Sequence, residues 1–290
     1  MGISIIIIMI MTMTMTTMSE QGTATTKMTP TTTPPLRGLG GEADEGWGDG
    51  SVPRPPAPPS LGPLRDPSQQ RNGELQTAPL LRLLAWLSPA FPTGAYAYSH
   101  GLEWALELGD IANGDTLRTW LADILAHGSG RNDAILLRHA HRTHADAAML
   151  HDIAELAAAV APSRERQMET LDQGTAFIAA AAAWHPPQLP PRVAYPVAVG
   201  ALAGSHGIPE DATTAAYLQS FAANLISAAV RLVPLGQSAG LRVLAALEPT
   251  ILHTAATTRT AMLDDIGGCA FRSDLAAMRH ETQYTRLFRS

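Results

Sequence analysis

From Thr77 onward, apolar residues recur at steps of three and four, the period of a helix rather than a strand. Leu80, Leu83, Leu84 and Leu87 form one stripe, closed by Pro89. Leu117, Trp120, Leu121, Ile124 and Leu125 form another, with Asp115 placed to cap it and Gly128 to stop it. Two helices are predicted from Asp133 to Thr143 and from Asp146 to Val160. Ser163, following Pro162, is placed to cap a helix reaching about Trp184. The prolines of "HPPQLPPR" lack amide hydrogens and predict a loop. In "YPVAVGALAGSHG" the small residues Gly200, Ala201 and Gly204 allow close helix packing. Pro209 opens the longest helix, Asp211 to Val233, with Tyr217, Phe221 and Leu225 on one stripe. Pro234 and Gly236 end it. Leu241 to Leu247 and Ile251 to Ile266 are predicted as two helices divided by Pro249. The pattern predicts an all-α chain: a single helical bundle of about eight to ten helices over residues 77–290.

Residues 1–76 follow no such pattern and are predicted to be a low-complexity, disordered N-terminal extension. "GISIIIIMIMTMTMTTM" has no basic leader and no small-residue cleavage site. Its apolar core, Ile5 to Met11, falls short of the roughly 18 residues of a membrane span. Met18 or Met28 is the expected start of translation. "TPPLRGLGGE" and "VPRPPAPPS" are rich in Pro and Gly.

Composition narrows the chemistry. Of 290 residues, 46 % are hydrophobic but only 5 % aromatic, so the core is built mainly from Ala and Leu. A formal net charge of -6 argues against wholesale nucleic-acid binding. Cys269 is the only cysteine, which excludes an internal disulfide and a thiolate zinc cluster and fits a reducing cytoplasm. Lys27, in the extension, is the only lysine. The helical region therefore holds no phosphate-loop lysine, Schiff-base lysine or lysine base.

The stretch "AFPTGAYAYSHGLEWALELGDI" sets Ser99 beside His100, with Glu103 four residues after the serine. These are hydrolase triad types, but no strand and no G-x-S-x-G elbow frames them. Neighbours on a helix diverge by about 100°, so Ser99 and His100 do not pair. The residues read instead as a turn at Pro92, Thr93 and Gly94 and a helix start. Gly101 lets a neighbouring backbone approach, Leu102, Trp104 and Leu106 face the core, and Tyr96, Ser99, His100 and Glu103 make a polar surface strip. In "RLVPLGQSAG", Arg231 complements a helix C-terminus, and Gln237 or Ser238 is placed to cap the next helix. His139, His141, His144 and His151 cluster at helical spacing and read as a solvated face rather than a metal site. In the last residues, Arg279, Arg286 and Arg289 alternate with His280, Glu281, Tyr284 and Phe288. Arginines with aromatics suit an interface, and Tyr284 and Phe288 would share a face if helical.

"LLAWLSPAFPTGAYAYSHGLEWAL", "NLISAAVRLVPLGQSAGLRVLAALEP" and "MRHETQYTRLFRS", in this order, closely resemble the urease accessory protein UreF family over roughly residues 77–290. Departures lie at Gly94-Ala95, where relatives often carry Gly-Gly, at 163–184 and around Cys269. The resemblance implies an all-α, non-enzymatic chaperone subunit. It implies partners: UreD (UreH), the GTPase UreG and the urease apoprotein, with a homodimer of the chain itself. It implies no cofactor of its own; nickel is handled by the complex, UreE supplies it, and GTP is bound by UreG. The expected partner contacts are Tyr96, Ser99, His100, Glu103, Arg231, Gln237, Arg279, His280, Glu281, Tyr284, Arg286, Phe288 and Arg289. His100 and His280 are the candidates for a transient nickel path, with partner contact preferred. The alternatives are a direct regulator of GTP hydrolysis by UreG and, remotely, a serine hydrolase using Ser99.

Overall fold

The computed structural model describes residues 67–233 and 235–290, with side chains placed from Thr77 onward. The expected extension and Pro234 lie outside the described residues, apart from residues 67–76. There helix α1 (Pro67–Trp86) already begins, ahead of the expected start at Thr77. Then follow α2 (Leu102–Glu107), α3 (Gly114–His127), α4 (Ser129–Arg142), α5 (Ala147–Ala159) and α6 (Arg164–Ala180). The chain continues through α7 (Tyr195–Ser205), α8 (Glu210–Leu232), α9 (Gly236–Thr257) and α10 (Phe271–His280). Short 3-10 turns join several of them, and the described residues contain no strand.

The centre is α7, buried all round from Tyr195 to Gly204, as a helix apolar on every face must be. It lies along α4, the most extensive helix pairing in the bundle. Gly200 and Gly204 make that approach possible, because a Cβ on either would overlap the carbonyl oxygen of Leu137 or His141 on α4. The predicted stripe of α3, Leu117 to Leu125, is buried and meets α9. Ser163 and Asp146 cap α6 and α5 through their side-chain oxygens, as the sequence indicates. The segment after Trp184 is a loop through its prolines.

Four local expectations are corrected. On α1, Leu80 and Leu84 are exposed, and Leu83 with Trp86 turns inward instead. The larger Trp86 ring fixes the rotation, packing edge-on against Trp184 at 5.9 Å and at a tilt against His206 at 5.5 Å. Asp115 is not the cap of α3; Asn113 accepts from the Asp115 and Thr116 amides in a reciprocal box with Thr116. Neither Gln237 nor Ser238 caps α9, which starts at Gly236 without a side-chain cap. Finally, α9 runs unbroken through Pro249, and 3-10 turns replace a second helix beyond Thr257. Val243, Leu247, Ile251, Thr254 and Ala255 form one buried strip across the proline, so packing against α3 and α8 overrides its helix-breaking tendency.

A buried arginine ties three elements together. Arg138 on α4 donates to Glu210 and to Asp211 (2.9 Å) at the start of α8. It also donates to the Ala255 carbonyl at 2.6 Å and to Thr258 at 3.3 Å, at the end of α9. Arg142 and Arg259 complete the pairing of the two carboxylates. Burial works against ionisation of Glu210, but hydrogen bonds from Arg142 and Arg138 prevail and hold it below the usual carboxylate range.

Candidate functional site

The turn at residues 91–101 and the last eleven residues form one unit. Gly94 adopts φ 75°, a 3-10 turn covers Ala95–Ala97, and His100 and Gly101 take φ 60° and 76°. A positive φ is strained for His100, at about 1 kcal/mol or more. Gly101 avoids that strain and sits where a Cβ would crowd the Ala277 amide at 2.7 Å, so α2 and α10 touch backbone to backbone. After α10 the chain folds back over this turn. The Arg289 amide donates to Ala97 O at 2.9 Å, and the Ser99 amide donates to Ser290 O at 2.7 Å. The Ser99 hydroxyl donates to the same oxygen.

Glu103 holds the returning chain. Its carboxylate accepts the amides of Leu287 at 2.6 Å and Phe288 at 3.0 Å and faces His280 Nε2 at 3.3 Å. His280 Nδ1 lies 2.6 Å from Glu165 on α6, which also accepts from Arg286 at 2.6 Å. The Gln283 amide donates to Glu107 at 2.6 Å. Arg164 gives its backbone amide to Glu281 at 2.8 Å. Arg231 at the end of α8 stacks over the Phe288 ring, 4.5 Å from its centroid.

Beneath the tail lies a polar cluster. His100 Nε2 pairs with Ser129 at 2.7 Å, and its ring meets Phe221 edge-on. Burial, with the nearby Arg166 charge, pushes the imidazole down to about 4, so it is neutral near pH 7. Glu169 is paired with Arg166 and accepts the Ser290 hydroxyl at 2.6 Å. Burial opposes its ionisation, yet Arg166 prevails and holds it well below the usual range. Asp133 accepts the Tyr217 hydroxyl at 2.7 Å and is pushed up to about 6 by burial. Two small cavities, of about 110 and 30 Å³, meet at Asp133, Arg166 and Thr170. Each has space for at most a few waters.

The predicted residues thus separate by exposure. Ser99, His100 and His280 are buried, so the expected surface strip loses its serine and histidine. Their hydrogen-bonding atoms are needed to hold the tail and the turn, which draws them inward. The Ser99 hydroxyl is fully buried and donates to the Ser290 carbonyl, so it serves as a bond to the tail in this structure. Tyr284 and Phe288 do not share a face: the tail is not helical, Tyr284 projects fully into solvent, and Phe288 is buried under Arg231. Tyr96, Tyr284, Leu287, Arg279, Arg286, Arg289 and Gln237 are exposed. Arg231 bonds Ser227 O at its own helix end, as its position predicts.

The histidine-rich helix is not a solvated face throughout. His139 and His141 reach the carbonyls of Ala261 and Ile208 on neighbouring connections, and His144 bonds His141 O. Only His151, paired with Glu155, projects outward. No group of three His, Cys, Asp or Glu among the described residues is arranged to hold a metal ion. Sequence reasoning missed Glu165, Arg166 and Glu169, which sit in "SRERQMETLDQ". Their spacing, with acids four apart and the arginine three before Glu169, is the signal that pointed to one polar face.

These features define an all-helical bundle whose C-terminal segment is bonded onto a Pro/Gly turn by carboxylates from two helices. The family model for UreF matches residues 111–248. A urease accessory protein UreF of Rhodopseudomonas palustris (strain TIE-1) is 54 % identical over 226 residues, covering 74 % of this chain and 94 % of that protein. One from Bradyrhizobium sp. (strain ORS 278) is 54 % identical over 235 residues, covering 78 % and 97 %. One from Methylorubrum populi is 52 % identical over 220 residues, covering 72 % and 98 %. The chain belongs to the UreF family of urease accessory proteins.

Proposed function

We propose that this chain is a docking subunit of the urease maturation machinery, in the cytoplasm, that bridges UreD (UreH) to the GTPase UreG and engages the urease apoprotein. Its contribution is binding energy rather than bond making. Nickel is the cargo of the assembly, and GTP belongs to UreG; the only lysine, Lys27, lies outside the described residues. The chain works as a homodimer. Among the described residues no helix is long and apolar enough to cross a membrane.

The observation that supports this reading is the docked tail. The Glu103 carboxylate of α2 fixes its backbone and the α6 carboxylates Glu165 and Glu169 hold its side chains, while Tyr284, Leu287 and Tyr96 project outward, as do Arg286 and Arg289. A rigid frame presenting aromatic and arginine side chains lowers the entropy lost on association. Arg231 is exposed, stacks on Phe288 and bonds Ser227 O; the alternative, a direct regulator of GTP hydrolysis by UreG through an arginine, is separated by the test below.

The test is capture of purified UreD and UreG by the full chain, alongside urease activation. Deleting residues 279–290 is expected to abolish UreD capture with helicity nearly unchanged. Capture of neither partner by the intact chain, or unchanged UreD capture after the deletion, refutes the proposal. An altered rate of GTP hydrolysis by UreG on adding the chain favours the regulator instead.

A further inference from the structure

Asn113 and Gly114 stand side by side where α3 begins. In an asparagine–glycine pair the glycine amide can attack the preceding side chain, because glycine places no Cβ in the path. Of the four asparagines in the chain, Asn132 and Asn224 precede Asp133 and Leu225, whose side chains crowd that approach. Asn72 also precedes a glycine, but its side chain lies outside the described ones. Asn113 is exposed, and the Gly114 amide has no hydrogen-bond partner among the described residues, as the first N–H of a helix does not.

We infer that the Asn113–Gly114 pair is a self-modification site, converted by water alone to aspartate or isoaspartate at a rate governed by the cap of α3. Gly114 N gives up its proton and bonds to Asn113 Cγ. The Cγ–Nδ2 bond breaks, and ammonia leaves with that proton. Water then opens the five-membered imide at one of its two carbonyls. One opening gives aspartate. The other routes the main chain through the side-chain carbon and gives isoaspartate.

The cap restrains this step in the folded chain. Asn113 Oδ1 accepts the Asp115 and Thr116 amides, each at 3.0 Å. The Thr116 hydroxyl oxygen accepts the Asn113 amide at 3.1 Å and the Ala112 amide at 3.0 Å. Its hydrogen goes to Asn113 O at 3.0 Å. These bonds hold Asn113 at ψ -177°, where Cβ stands off the plane of the next peptide. Ring closure needs Cα, Cβ, Cγ and Gly114 N nearly coplanar, so ψ must turn and the Oδ1 bonds must break. The ring therefore closes only in molecules whose first turn of α3 is open.

The two products act differently on α3. Aspartate keeps an acceptor at the cap and adds negative charge at the positive end of the helix. Isoaspartate lengthens the main chain by one carbon, which displaces its carboxylate from the Asp115 and Thr116 amides. The first turn, where Gly114 lies beside Val243 of α9, is then uncapped. The site thus has a silent outcome and a loosening one. It concerns this chain alone, so a failure of partner capture leaves the inference standing.

The experiment incubates the full chain in mildly alkaline heavy-oxygen water and maps its peptides by mass spectrometry, so that only conversion during the incubation is counted. Conversion at Asn113 is expected to be about tenfold slower in the folded chain than in the same chain unfolded in urea. Thr116→Val, which removes the hydroxyl half of the cap, is expected to raise the folded rate about fivefold. Gly114→Ala is expected to suppress conversion in both states; the added Cβ meets only Val243, at 3.5 Å, an ordinary contact. The comparison of folded and unfolded wild type decides the matter even if a variant fails to fold. No conversion at Asn113 in the unfolded chain, equal rates in the two states, or an unchanged rate in folded Thr116→Val overturns the inference.

Discussion

Ser99 and Ser290 lie 191 positions apart, yet the hydroxyl and the backbone amide of Ser99 donate to one and the same oxygen of Ser290. The pair closes the tail over the turn that carries His100 and Gly101. Ser290 extends the connection by donating its own hydroxyl to Glu169 on α6. The sequence's most catalytic-looking serine is therefore a fastening between two ends of the helical domain.

Replacing Ser99 with Ala tests that fastening. The backbone bond to Ser290 survives and the hydroxyl bond is lost, so stability is expected to fall by only about 1 kcal/mol. Cleavage within residues 281–290 by a protease is expected to accelerate several-fold. Unchanged cleavage would mean that the hydroxyl does not hold the tail.

Arg138 is the residue whose loss is expected to hurt the bundle most. Arg138→Met strips Glu210 and Asp211 of their buried partner and leaves the Ala255 carbonyl without its donor. The expected loss is about 1–3 kcal/mol, because the Ala255 carbonyl is left without its donor while Glu210 and Asp211 keep Arg142 and Arg259. Urea unfolding followed by circular dichroism measures it, and a loss below about 1 kcal/mol contradicts the arrangement described here.

Two buried groups set opposite pH slopes. Asp133 has a folded value of about 6 against 3.8 for the ordinary carboxylate, so its contribution is full at low pH and is lost as pH rises from about 4 to 6. His100 has a folded value of about 4 against 6.5, so its contribution is present above about 6.5 and is lost as pH falls towards 4. Each is worth about 3 kcal/mol at most, and the two nearly cancel in the wild type. Asp133→Asn removes the first and keeps an acceptor for Tyr217. It is expected to be the more stable protein at pH 7 and to lose stability steeply between pH 6.5 and 4. Parallel melting curves for the variant and wild type across that range would disprove the assignment.

Tyr284 is fully exposed and contacts nothing that stabilises the bundle. Tyr284→Asp is expected to leave the melting temperature within about 2 °C of wild type, as surface substitutions do. If the proposed function holds, it weakens UreD capture by tenfold or more. Full-strength capture would move the contact surface elsewhere on the chain.

The order of helices was readable along the chain because each buries a stripe at helical spacing, and local signals mark many ends. Ser163 and Asp146 cap as their side chains dictate, and Gly200 and Gly204 announce a close crossing. The family, too, was carried by short motifs at the turn, the α8–α9 junction and the tail. What local pattern did not reveal was which leucines of α1 face inward, that α9 continues through Pro249, and that His100 and His280 are buried. Periodicity gives a helix an apolar face but no fixed rotation when exposed leucines lie beside it; the Trp86 ring, meeting Trp184 and His206 from distant segments, settles it. A proline weakens one turn, and burial of Leu247 and Ile251 on either side of it outweighs that penalty. The tail site is built from α2, α6, α10 and residues up to 290, which no local window contains. Carboxylates at positions 103 and 165 read as ordinary surface acids until folding brings them to either side of one imidazole, where their partners are chosen by proximity in space rather than by spacing in sequence.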